Sequence, residues 1–214
     1  MKRANLASWL VLLGSLAGGV GWWLPWVAHP KGAAALVLLG LDMGDFFKFT
    51  TLWRSGGLQW ERHFFFLPPA AATLGLLFWA ARHDWRKRAL AFLMTFPLAL
   101  VVLPEYERWR EWQSAEFRFQ SALAIIMLAT ALLVWLGGAR APHRLVAGLG
   151  ALVALAGATL PLWAFWRVEL LLRDFYGGSI VWGMGLWCTT VGFAIAFVGW
   201  LLHMTKPHQT KESV

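Results

Sequence analysis

FQSALAIIMLATALLVWLGGA, residues 119–139, runs for 21 positions without a charge. A helix rises about 1.5 Å per residue and a bilayer's hydrocarbon core is roughly 30 Å thick, so about 20 apolar residues cross it. Five further uncharged runs flank this one: Leu6–Ala28, Phe64–Ala81, Ala89–Pro104, Leu145–Trp166 and Ile180–Leu202. Every charged side chain lies outside the six runs. The reading is an all-α, polytopic integral membrane protein: six transmembrane helices in three hairpins, forming one transmembrane domain over residues 1–214.

Composition agrees. Charged residues are 14% of the chain and hydrophobic ones 59%, whereas charge runs near a quarter in ordinary soluble domains. Short connections leave no room for a separate water-soluble unit. Lys2 and Arg3, followed by an apolar stretch and the small residues Ala17, Gly18 and Gly19, also fit a secretory signal. The run continues through Trp22, Trp23 and Trp26, longer than a signal core, so the segment is expected to be the first span. The third run is short and contains Pro97, making it the weakest candidate to cross.

Six crossings put both termini on one side. That side carries ten Lys and Arg, including the clusters Arg82–Arg88 and Arg140–Arg144, against Asp84 and Glu212 alone. The other side has nine bases and nine acids, so the net charge of +8 resides with the termini. Dense basic clusters in short loops favour the cytoplasm. The expected location is therefore a cell membrane, with both termini cytoplasmic. Tryptophans fall in two bands at the ends of the runs, where indoles anchor at lipid interfaces. Leu24-Pro25, Leu103-Pro104 and Leu160-Pro161 near the outer ends of successive outgoing runs hint at repetition.

The outer connections carry most of the chemistry. In the first, Ala33–Leu41 is apolar but too short to cross, fitting a partial dip or a surface helix. Asp42 could cap the segment that follows, with Asp45 in its first turn and Phe46, Phe49 and Trp53 forming an apolar stripe. Such a short surface or re-entrant helix could act as a lid. The second connection interleaves Glu105, Glu107, Glu111 and Glu116 with arginines and aromatics; the third holds Arg167, Glu169, Arg173, Asp174 and Tyr176.

The runs themselves contain no ionisable acid or base except the thiol of Cys188, which argues against a proton-coupled pump. No histidine sits where a haem ligand within the bilayer would, and a single cysteine frames no metal site and no intramolecular disulfide. Phosphate-cradling loops, zinc helices and nucleophile elbows are missing from the sequence. Asp42, Asp45, Glu61, Glu105 and Glu169 could make an outward-facing enzyme acting on lipid or envelope substrates only by converging on one cleft. An equal number of outer bases makes pairing the expected fate. No catalytic residue, cofactor or metal is assigned.

Gly14-x-x-x-Gly18, with Gly21 one turn on, lays a small-residue groove along the first run, and similar grooves mark the fifth and sixth. These are candidate helix-packing positions, within the chain or against another subunit. The leading expectation is a non-enzymatic membrane subunit or accessory protein of a larger complex, with a transporter as the expected association. Its partners would be the lipid bilayer and other membrane subunits, not nucleic acid. The six runs, the long first outer connection and the glycine stripe also resemble, in architecture, the substrate-binding membrane components of energy-coupling-factor vitamin importers. That resemblance implies a small-solute-binding role, with Trp53, Trp60, Trp109, Trp112 and Trp166 lining a pocket beneath a lid that contains Asp42 and Asp45.

Overall fold

A computed structural model describes residues 3–28, 37–49, 61–104, 110 and 112–205. Helix α1 is Arg3–Val20, closed by a 3-10 turn at Gly21–Trp23. Strands β1 (Pro25–Ala28) and β2 (Leu38–Leu39) follow, then α2 (Gly40–Phe46) with a 3-10 turn at Phe47–Phe49. Next come α3 (Glu61–Phe64), α4 (Leu67–Ala81), α5 (Trp85–Val102) and α6 (Ala115–Gly137). The described chain ends with α7 (His143–Phe175), β3 (Val181–Trp182) and α8 (Met184–Met204).

Five segments are long and apolar enough to cross a membrane: Asn5–Trp23, Glu61–Ala81, Ala115–Gly137, His143–Phe175 and Met184–Met204. The chain is thus a helical protein with the make-up of a multi-pass membrane protein. The remaining long helix, α5, has 18 residues, but Arg86, Lys87 and Arg88 occupy its first turn and Pro97 lies inside it.

Several boundaries differ from the hydropathy reading. The run expected to span residues 6–28 is helical only to Val20, and its last residues become β1. Proline disfavours the helical region for the residue before it, and Leu24 is extended at φ −93°, ψ 161°. β1 pairs antiparallel with both β2 and β3, giving a small sheet of order β2-β1-β3. Leu38 and Leu39, expected in a dip or surface helix, are therefore strand. The fifth run, expected to end at Trp166, stays helical to Phe175 because no breaker intervenes before Gly177-Gly178. There the Gly178 N–H reaches the Arg173 carbonyl at 2.9 Å and the Gly177 N–H the Asp174 carbonyl at 3.2 Å. This is a Schellman closure, and Gly177 supplies its left-handed residue at φ 70°.

α1, α4, α7 and α8 form a central bundle, and the α5–α6 pair leans on α4. Within the most apolar 18-residue stretch of each candidate span, two thirds of the residues (67%) are buried in residues 61–81 and 28% in Ala115–Gly137, where mean hydropathy is 2.1. α6 is therefore the long apolar helix least covered by the rest of the described chain.

The tightest seam joins α1 to α8. A Cβ on Gly14 would meet the Gly192 carbonyl oxygen at 2.6 Å. One on Gly18 would meet the Phe193 ring at 2.8 Å, and one on Gly21 the Gly185 carbonyl oxygen at 2.6 Å. From the facing side, a Cβ on Gly199 would meet the Val11 nitrogen at 2.8 Å. Two backbones run antiparallel in near contact, the arrangement that small residues permit between helices in lipid.

Candidate functional site

The helix ends remote from the chain's termini, the outer ends of the sequence reading, carry a compact cap. Trp26, Val27, Met43, Phe47, Phe65 and Phe165 form its buried apolar centre, drawn from β1, α2 with its 3-10 turn, the α3–α4 turn and α7. Trp26 stands edge-on to Phe65 and Phe165, and Phe47 stacks on Phe65 with centroids 5.7 Å apart. The indole nitrogens find acceptors: Trp22 Nε1 donates to the Phe65 carbonyl at 2.7 Å and Trp26 Nε1 to the Gly21 carbonyl at 2.9 Å. Trp22 and Trp26, grouped by sequence with the interfacial anchors, are thus packed inside protein.

Beside this centre lies a cluster of four charges. Arg62, one residue into α3, has a side chain 0% exposed. Its Nη1 and Nη2 fork onto the Glu116 carboxylate, with Nη1–Oε2 at 2.6 Å, and Nη2 also reaches Asp45 at 3.2 Å. Its Nε donates to the Gly44 carbonyl. Lys48 pairs with Asp45 and lies 3.1 Å from Glu116. Two cations and two carboxylates therefore balance, tying α2 and its 3-10 turn to the outer ends of α3 and α6. A planar guanidinium offers donors in a fixed fork that matches a carboxylate, which suits arginine to the buried position. Next to it, the His63 ring stacks on Phe119 at 4.8 Å.

Two further acids at this end of the bundle, Glu61 and Glu169, are also paired with bases. Glu61 lies 3.6 Å from Arg167, and Glu169 accepts from Arg173 at 2.8 Å and from Trp182 Nε1 at 3.2 Å. A half-open cavity of about 180 Å³ adjoins the four-charge cluster, walled by Trp22, Trp23, Asp45, Pro104, Glu116 and Gln120, among others. Gln120 is 4% exposed, and its Oε1 has no hydrogen-bond partner among the described residues.

The residues singled out from sequence fall in different places. Asp42 is not the cap residue of the helix after it: it lies inside α2, and its carboxylate accepts the Leu39 N–H at 3.2 Å, securing the β2–α2 junction. Asp45, expected in a first turn, sits near the end of α2 within the charge cluster. The α2 position partly follows from glycine: a Cβ on Gly40 would meet the Trp22 carbonyl at 2.7 Å and one on Gly44 the Phe66 ring at 2.7 Å. Phe46 packs edge-on against Phe175. Trp112 and Trp166 are 60% and 72% exposed and stand away from this cavity. Trp53, Trp60 and Trp109, together with Glu105, lie outside the described residues, as does the side chain of Phe49. Gly14, Gly18 and Gly21 belong to the α1–α8 seam, so that groove is filled from within the chain.

Sequence reasoning missed Arg62 and Gln120 as site residues and read Trp22 and Trp23 only as interfacial anchors. The available signal was positional, since Arg62 stands two residues before one apolar run and Glu116 three before another. Opposite charges at the same level of two neighbouring helices can meet.

No protein-family model, curated protein or solved structure matches the chain.

Proposed function

We propose that the chain crosses the inner membrane of its cell six times, as three hairpins with both termini in the cytoplasm. It serves there as a non-enzymatic subunit of a larger membrane assembly engaged in transport. One observation carries the non-enzymatic reading: Asp45, Glu61, Glu116 and Glu169, the carboxylates best placed for outward-facing chemistry, each hold a basic partner. A general acid or base must reach its substrate proton, and these groups are engaged in fastening elements together. With the glycine groove of α1 occupied by α8, contact with another subunit falls to the lipid-facing sides, above all α6.

The test is purification of the full chain in mild detergent followed by native mass measurement. Co-purification with other membrane polypeptides at fixed stoichiometry is the expected result. A chain that is active as an isolated monomer overturns the subunit reading.

A second reading, a small-solute-binding component of an importer, is favoured by the cavity beside Gln120. Pockets for small molecules are concave and mostly apolar, with a few placed polar groups. This one has that lining, in a volume of about 180 Å³ that falls below the roughly 300 Å³ at which drug-sized pockets begin.

A further inference from the structure

We propose that the cavity bounded by the outer ends of α1, α5 and α6 is a binding site for a small organic ammonium ion. In it the charge faces Asp45, Glu116 and Gln120, and the alkyl groups lie against Trp22 and Trp23. The proposal deepens the solute-binding reading by naming the ligand class.

The polar wall is a set of acceptors. Asp45 and Glu116 present carboxylate oxygens, and Gln120 adds a buried amide oxygen with no partner among the described residues. The indole N–H of Trp22, a donor on the same wall, is already bonded to the Phe65 carbonyl. A buried acceptor without a donor is costly, and a ligand with an N–H or O–H group removes that cost. Choline's hydroxyl can donate to Gln120, whereas tetramethylammonium relies on its charge and the rings alone. The second wall is aromatic. Trp22 and Trp23 have centroids 5.2 Å apart and planes at 80°, so the two indoles form a corner. Indole faces attract cations, and quaternary ammonium groups are the ligands that aromatic cages recognise.

Charge balance selects among cations. Arg62 and Lys48 already neutralise the two carboxylates. No surplus negative charge remains to replace the tightly held hydration shell of a divalent metal ion. A weakly hydrated monovalent ion gives up less water and gains from the rings. Size narrows the choice further: about 180 Å³ suits an ion such as choline or tetramethylammonium, not a vitamin or a nucleotide.

The experiment is isothermal titration of the full chain, reconstituted in nanodiscs, with choline, tetramethylammonium and the neutral choline isostere 3,3-dimethylbutan-1-ol. Saturable binding of both ammonium ions is expected, at least about tenfold tighter than the isostere, as a cation–aromatic contact implies. Trp23→Leu and Gln120→Leu should each weaken choline binding several-fold. Trp23 is partly exposed, so that variant is expected to fold, checked by an unchanged thermal transition. Equal affinity for the isostere, or unchanged choline binding in both variants, overturns the proposal. No saturable heat from either ammonium ion also overturns it, whereas the broader solute-binding reading is judged by titrating neutral and anionic solutes into the same preparation.

Discussion

The α1–α8 seam and the outer cap are packed by opposite means. In the seam, Gly14, Gly18, Gly192 and Gly199 bring two backbones together, and few large side chains intervene. In the cap, Trp26, Phe47, Phe65 and Phe165 fill the space, and Arg62 is locked to Glu116 and Asp45. The difference follows from the solvent each region meets. Lipid tails are as apolar as leucine, so helices inside a bilayer gain little by hiding large apolar groups from it and rely on close contact. At the aqueous end, ring burial is favourable again, and charges can be enclosed only in pairs.

The comparison can be broken most forcefully at the charge cluster. Glu116→Ala leaves the Arg62 guanidinium enclosed with its forked acceptor gone, and removing one partner of a buried pair costs about 3–5 kcal/mol. Reversible unfolding of the variant in detergent micelles should show a loss of that order. The joint replacement Arg62→Met with Glu116→Leu should recover much of it, since apolar substitutes for a buried ion pair are often tolerated. If the single and the joint replacement destabilise equally, the cluster does not act as a pair.

Trp26→Leu probes the apolar half of the cap. The indole is fully buried against Phe65 and Phe165, and shrinking it leaves a void while also removing the bond to the Gly21 carbonyl. A loss of roughly 2–4 kcal/mol is expected by the cavity argument. In the seam the sign of the volume change reverses. Gly14→Val places side-chain atoms where the α8 backbone already lies, and overpacking of this kind costs typically 1–3 kcal/mol. Gly148→Val is its control, because a Cβ there meets nothing within 4 Å. Equal losses at both glycines would show that the seam is not close-packed.

The seam was largely legible in the sequence, and the cap was not. Uncharged stretches located the long helices because lipid imposes one rule on every span, and the Gly14–Gly18–Gly21 spacing marked a face where a helix could approach. Hydropathy could not show that Pro25–Ala28 leaves the helix to become the middle strand of a sheet, since Trp26, Val27 and Ala28 are as apolar as the residues before them. Pro25 was the local signal for the change. Nor could it show that Arg167–Phe175 continues α7, because pairs such as Glu169–Arg173 make a polar stretch compatible with helix as well as loop. The partners of Arg62 were the least readable feature: Asp45 and Glu116 lie 17 and 54 positions away, and only the fold brings them together.

The smallest expected effect is at the opposite end of the bundle, where an exposed counterpart of the Arg62 cluster opens α5. The Asp84 carboxylate accepts the Lys87 N–H at 3.1 Å, capping the helix, and Lys87 Nζ lies 3.5 Å from it. The backbone N–H of Lys87, bonding to the ionised form, holds the Asp84 carboxyl below its ordinary value of 3.8. A carboxyl lowered by folding supports the fold while ionised. Its contribution is present above the ordinary value and is lost as pH falls through the folded one. Amide exchange at Lys87, relative to its intrinsic rate, should therefore accelerate only in the acid limb, as pH falls below about 4. Asp84→Asn can still cap the helix but cannot titrate, so its Lys87 amide should stay equally protected across that range. Equal acceleration in both proteins would show that the cap does not depend on the charge of Asp84. Water around Asp84 screens this pair as it does not screen Arg62, and the gap between the two effects measures what enclosure adds.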